Sequence, residues 1–204
     1  MFTIFLVDDD AGVLKALSRL LRAKGHDVRP FGSPREFLAQ HDAAVPGCAV
    51  LDVSMPGLDG LELQQALMAG GPDRQVIFIT GVGDIPTSVR AMRAGAIDFL
   101  TKPVDEKELL AAIARAERRD HEARQDYAEV TAIQARVKTL TPREREVMTH
   151  VVAGRLNKQI AGDLGTVEKT IKVHRGRVME KMGVRTVADL VRLAEKVGIS
   201  GPSD

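Results

Sequence analysis

The sequence predicts three parts: an α/β, doubly wound, five-stranded parallel sheet over residues 1–104, a long helix over residues 105–138, and an all-α helix-turn-helix unit over residues 139–204. Three observations carry that division. From Met1 to Pro103, short apolar runs alternate with segments of helical period, as in β/α units whose parallel strands are covered on both faces. Between Val104 and Leu140 there is neither Gly nor Pro, so nothing there interrupts a helix. The charge then changes sign: residues 1–104 carry 10 Lys and Arg against 12 Asp and Glu, residues 105–137 carry 6 against 8, and residues 138–204 carry 13 against 8.

Ile4–Val7 is the first strand, and Val13, Leu14, Leu17, Leu20 and Leu21 then recur at helix spacing. Asp27–Phe31 is a second strand, placed near an edge because Pro30 has no N–H for a ladder. Ser33 caps the next helix, Pro34 suits its first turn and Glu36 completes a capping box. Cys48–Leu51 is the third strand and Asp59–Met68 the third helix. Val76–Thr80 is the fourth strand, followed by a helix over Pro86–Ala94 that stops at Gly95, and Ile97–Thr101 is the fifth strand. Right-handed crossovers join such strands into one parallel sheet.

In the long helix, Leu109, Ile113, Ala116, Ala123, Tyr127, Val130 and Val137 follow a 4-3 spacing interrupted by Asp120 and Gln134. This predicts one continuous helix of about 50 Å with a weak coiled-coil seam; the alternative is a break near Asp120-His121. Thr141-Pro142-Arg143-Glu144 repeats the capping logic and opens a helix to Gly154. Asn157 is the expected cap of a short helix over Lys158–Leu164, and Gly165-Thr166 makes a turn. A basic helix follows over Val167–Met182, capped by Thr166 and closed by Gly183, and a last helix covers Val187–Val197. Short helix, glycine turn and longer basic helix form a helix-turn-helix pattern.

With 44% hydrophobic and 28% charged residues, 204 residues suffice for globular domains with their own cores. No apolar stretch approaches the roughly 20 residues that cross a bilayer. The N-terminus is apolar for a few residues and then acidic, unlike a signal peptide. The single cysteine, Cys48, excludes an intrachain disulfide, points to the cytoplasm and suits a small core residue.

The strand ends carry the chemistry. The first runs into Asp8-Asp9-Asp10, the third into Asp52, the fourth into Thr80, and the fifth through Thr101 into Lys102-Pro103. In a parallel sheet these groups meet at the carboxyl edge, where ligands bind. Clustered carboxylates repel each other by about 4 kcal/mol per pair at 4 Å and an effective dielectric near 20. A Mg²⁺ ion relieves this, with Asp9 and Asp52 as first choices for direct ligands, Asp8 direct or through water, and the Ser54 backbone carbonyl completing the set. Asp52, ending the central strand, is the natural nucleophile toward a phosphoryl group, Lys102 the neutralising charge and Thr80 the donor to a new phosphoryl oxygen.

LVDDD at 6–10, LDVSMPGLDG at 51–60, ITGVGD at 79–84 and AGAIDFLTKP at 94–103 resemble a response-regulator receiver domain, flavodoxin-like in fold. The resemblance implies that Asp52 is the phospho-acceptor, Asp8 and Asp9 the acidic metal pair, Thr80 the switch hydroxyl and Phe99 the switch aromatic. It further implies that Lys102 pairs with the phosphate, that Lys102-Pro103 is cis, and that a sensor histidine kinase is the donor. Val82 stands where close relatives often have His.

On the basic helix, Val167, Ile171, His174, Val178 and Met182 share one face, which makes His174 a satisfied structural histidine. The far side presents Lys169, Val173, Gly176 and Glu180, flanked by Thr170, Lys172 and Arg177. Residues 140–184 resemble a LuxR-type effector domain, with Val167 where the family usually has Ser, and nearly the whole chain is similar to regulators of the FixJ, StyR and TodT type. By that resemblance Lys169, Thr170, Lys172, Val173 and Arg177 contact bases or phosphates, Arg175 snorkels outward, and Asn157 and Lys158 touch the DNA backbone.

The expected function is a phosphorylation-controlled, DNA-binding transcriptional regulator of a two-component system. It is not an enzyme beyond promoting its own Asp phosphorylation. Expected partners are a sensor histidine kinase, double-stranded DNA, a second copy on phosphorylation and, as a further candidate, RNA polymerase, with no membrane. Three alternatives compete. An aspartyl-phosphate hydrolase needs a second Asp where Ser54 stands. A flavin-binding domain needs a phosphate-cradling loop where Asp8-Asp9-Asp10 would repel phosphate. A phosphorylation-independent regulator would use the receiver only to dimerise.

Overall fold

The computed structural model describes residues 1–67, 73–81 and 85–201. Met68, the expected end of the third helix, and Val82 lie outside the described residues. The chain divides into two compact units, Met1–Gln125 and Asp126–Asp204.

The first unit is a five-stranded sheet of order β2-β1-β3-β4-β5, every pair parallel: β1 (Thr3–Val7), β2 (Asp27–Phe31), β3 (Gly47–Asp52), β4 (Gln75–Thr80) and β5 (Asp98–Thr101). Helices α1 (Ala11–Ala23), α2 (Pro34–Gln40), α3 (Gly60–Leu67) and α4 (Ile85–Arg93) connect the strands. Strands β1 and β3 are buried along their whole length, which is why they read as unbroken apolar runs. Pro30 sits on the edge strand β2, as its missing donor requires. One core layer packs Leu17, Leu21, Leu109 and Ile113 on one sheet face, and the other packs Phe37, Leu63 and Ala91 on the opposite face. Cys48 lies fully buried in the first of these layers, and burial pushes its thiol up to about 12, so it is an inert core residue.

Local signals set the helix starts. Asp10 caps α1 by accepting from Gly12 and Val13 N–H. Ser33 Oγ accepts from Glu36 N–H, but the Glu36 carboxylate returns to Gly32 N–H, so the box closes one residue earlier than expected.

Helix α5 (Glu106–Lys138) is continuous through Asp120-His121. Its apolar positions do not form one stripe. Leu109, Ile113 and Ala116 join the first unit's core, Ile133 and Val137 join the second, and Tyr127 between them is half exposed. Asp120 is buried because Arg124 pairs with it at 2.8 Å while donating to the carbonyls of Ala43, Ala44 and Val45. Arg74 holds the same segment too, donating to Asp42, Val45 and Gly47 carbonyls over the Phe5 ring.

The second unit contains α6 (Pro142–Val152), α7 (Asn157–Asp163), α8 (Glu168–Met182) and α9 (Val187–Lys196) around Val147, Met148, Ile160, Ile171, Val178, Met182 and Leu190. Thr141 and Glu144 form the full reciprocal capping box. The buried Glu144 carboxylate also accepts from Lys181 Nζ at 2.6 Å, tying the start of α6 to the end of α8. Gly183 closes α8 in the left-handed conformation, φ 67°. Among the described residues no helix is long and apolar enough to cross a membrane.

Candidate functional site

The register brings the strand ends to one edge. Asp52 lies beside Ile79, and Thr80 beside Thr101, immediately before Lys102. The carboxylate of Asp8, fully buried, and that of Asp52, 4% exposed, are bridged by one ammonium: Lys102 Nζ lies 2.7 Å from Asp8 Oδ2 and 2.8 Å from Asp52 Oδ1. Backbone donors hold the remaining oxygens, Asp10 N–H on Asp8 Oδ1 at 2.9 Å and Ser54 N–H on Asp52 Oδ2 at 2.8 Å. Partial burial pulls the Lys102 ammonium down, but its hydrogen bonds to Asp52 and Asp8 outweigh that and hold it above the usual lysine value. Thr80 is buried at the end of β4, and its carbonyl accepts from Lys102 N–H at 2.7 Å. The Lys102-Pro103 peptide is cis. Phe99 is half-buried, its ring 6.2 Å from that of Phe78.

Gly60 shows why the turn after β3 approaches so closely. A Cβ there would stand 2.5 Å from the Asp52 carbonyl and 3.0 Å from the Phe78 ring. Only glycine lets α3 begin against the backbone of Asp52.

Of the three expected carboxylates, Asp8 and Asp52 share the Lys102 ammonium. Asp9 is exposed, and among the described residues no three His, Cys, Asp or Glu side chains gather closely enough to hold a metal ion. The Lys102 ammonium takes up charge that the buried Asp8 and Asp52 carboxylates alone would leave unbalanced. What remains is a buried, oxygen-lined site with two carboxylates against one cation, open at the rim where Asp9 and Ser54 are exposed.

In the second unit, Lys158, Lys169, Lys172, Val173, Gly176 and Arg177 are exposed and Thr170 is half-buried. Arg175 is half-buried too, because its guanidinium donates to Asn157 Oδ1 at 2.9 Å. Asn157 is therefore the first residue of α7 rather than its cap: Leu156 holds the cap position, with its N–H donating to Gln159 Oε1. Thr166 does not cap α8 either; Val167 stands there with no side-chain cap bond, and α8 begins at Glu168. His174 lies on the apolar stripe, but its Nδ1 is buried without a hydrogen-bond partner, which corrects the expectation of a satisfied histidine. Leu156, Val167 and Val173 are all exposed, a feature that helical periodicity does not single out.

Comparison with known proteins agrees with both units. The response regulator receiver domain family matches residues 4–114, and the luxR family of bacterial regulatory proteins matches residues 138–194. Nodulation protein W of Bradyrhizobium diazoefficiens is 46% identical over 97% of this chain and 87% of its own. The solved structure of response regulator StyR superposes with a TM-score of 0.78 at 45% identity, over 95% of this chain and 98% of its own. Full-length FixJ from B. japonicum gives 0.58 at 41% identity, over 97% of each chain. The receiver match alone spans more than half the residues, and the chain belongs to the two-component response regulators, DNA-binding transcriptional regulators rather than enzymes, that join a receiver to a LuxR-type helix-turn-helix domain.

Proposed function

We propose that Asp52 accepts a phosphoryl group from the phosphohistidine of a sensor kinase and that this controls DNA binding by α8. The observation that supports it is the single ammonium of Lys102 hydrogen-bonded to both Asp8 and Asp52 at the edge where Thr80 also ends its strand. An Asp52 carboxylate oxygen attacks phosphorus, the P–N bond to the donor imidazole breaks, and the imidazole leaves with a proton. Lys102 stays beside the new acyl phosphate and balances its charge. Thr80 donates its hydroxyl to a phosphoryl oxygen, and Phe99, packed on Phe78, shifts with it.

The donor set suits Mg²⁺, being all oxygen, with lone pairs left on both carboxylates. Asp8 and Asp52 would hold it, with Asp9 at the rim and the Ser54 backbone carbonyl. When bound, the ion neutralises charge on the transferring phosphoryl group.

In this reading residues 1–104 are the receiver, 105–138 the linker helix and 139–204 the effector domain, working in the cytoplasm with no membrane partner. The face of α4, β5 and α5 pairs two phosphorylated copies, supported by Ile85, Val89 and Met92, exposed in a row on α4. Lys169, Thr170, Lys172, Val173 and Arg177 on α8 enter the major groove, and Lys158, Asn157 and Arg175 serve the phosphate backbone. RNA polymerase is a further partner. Incubation with acetyl phosphate tests the acceptor: wild type gains a phosphoryl group by intact mass and Asp52→Asn does not. Equal labelling of Asp52→Asn would remove the assignment.

A further inference from the structure

Gly176 stands in the middle of α8, with a turn or more of helix on either side. Every other helical glycine among the described residues lies in the first or last turn of its helix. Its φ is not positive, so the backbone does not require glycine. A Cβ built on it meets nothing within 4 Å, so packing does not require it either, unlike Gly47 and Gly60, whose Cβ atoms would strike backbone. Yet glycine in a helix interior is among the costliest choices, since it loses the most backbone freedom on folding. Nothing among the described residues accounts for it, which points to something outside the chain.

Gly176 lies on the exposed side of α8, one turn beyond Lys172 and Val173 and one turn before Glu180. The missing side chain makes a notch there, beside the exposed apolar Val173 one turn earlier on the same face. The wall of the major groove carries one apolar group at that depth, the C5-methyl of thymine. We propose that the Gly176 notch seats a thymine methyl and makes Gly176 a determinant of operator sequence. Val173 supplies the apolar contact, and the glycine lets the helix backbone come close enough for it. This rests on the placement of α8 in the major groove proposed above.

The test is a double-substitution cycle on full-length, acetyl phosphate-treated protein and a duplex selected with it from a randomised pool. Each thymine of the duplex is replaced in turn by uracil, which lacks only the methyl. At one position uracil is expected to weaken wild type about fourfold, the value of one buried methyl group. Gly176→Ala is expected to bind the thymine duplex at least about fivefold more weakly, from crowding, and to lose that penalty on the uracil duplex. Its melting temperature rises or holds, which shows that the loss is not unfolding. An undiminished penalty on every uracil duplex, or no penalty at all, overturns the proposal. Lys172→Ala and Arg177→Ala separate the layers. If they weaken binding while Gly176→Ala does not, the groove placement stands and the notch fails; if neither weakens binding, the placement itself fails.

Discussion

Replacing Lys102 with Met keeps the aliphatic stem and removes the charge. In the folded receiver the ammonium is shared by Asp8 and Asp52, which are 0% and 4% exposed. Without it two buried carboxylates face each other with no counterion. Their repulsion is about 4 kcal/mol at an effective dielectric near 20 and 4 Å, and breaking a buried pair by removing one partner costs about 3–5 kcal/mol. A loss of about 3–4 kcal/mol is therefore expected. Hydrogen–deuterium exchange of the β3 and β4 amides, in EDTA, reads opening of this sheet separately from the C-terminal unit. Asp52→Asn is the second arm of the cycle. It removes one of the two like charges, so the cost of Lys102→Met falls by about 2 kcal/mol in that background. Millimolar Mg²⁺ is expected to protect Lys102→Met more than wild type. A cost below about 1 kcal/mol, or the same cost with and without the Asp52 charge, would refute the reasoning.

The remaining expectations concern the rest of the chain. The hydrogen bond from Lys181, then the Thr141 N–H, hold the Glu144 carboxyl below its usual value. A depressed carboxylate contributes stability above its unfolded value of about 4.3 and loses it as pH falls through the folded value. Melting of the C-terminal unit should fall over that acid range, and Lys181→Met should flatten the fall. Arg124→Met strands the buried Asp120 and frees three backbone carbonyls, so it should cost about 3 kcal/mol, read as faster exchange across residues 42–47. Lys169→Ala and Lys172→Ala should each reduce the slope of log affinity against log salt by about 0.9 if each side chain neutralises one DNA phosphate.

The receiver was legible because buried parallel strands are continuous apolar runs, and the residue ending each run marks the sheet edge. Asp52, Thr80 and Lys102 could be placed together from that rule alone, since strand-end position needs no side-chain geometry. The sharing of the ammonium could not. Which of Asp8 and Asp9 turns inward depends on the pleat at the last residue of β1, and Asp8 is buried while Asp9 is exposed. Asn157 and Thr166 have the right chemistry for caps, but a tertiary bond claims the first, from Arg175, and Val167 holds the cap position of α8. The Arg74 and Arg124 contacts to residues 42–47 left no trace in any period. They join residues far apart in sequence through backbone carbonyls, which every residue type offers. The heptad reading of α5 missed Ile133 because the helix buries different faces at its two ends.

The central claim is that charge gained at Asp52 changes the grip of α8 on duplex DNA. Fluorescence anisotropy with a labelled selected duplex measures that directly, on full-length wild type and Asp52→Asn, each before and after acetyl phosphate. The account predicts a rise in affinity of about tenfold or more for wild type alone, the order of a coupling of 1–3 kcal/mol between sites. Equal affinities across all four samples would contradict it and leave the receiver with no part in controlling DNA binding.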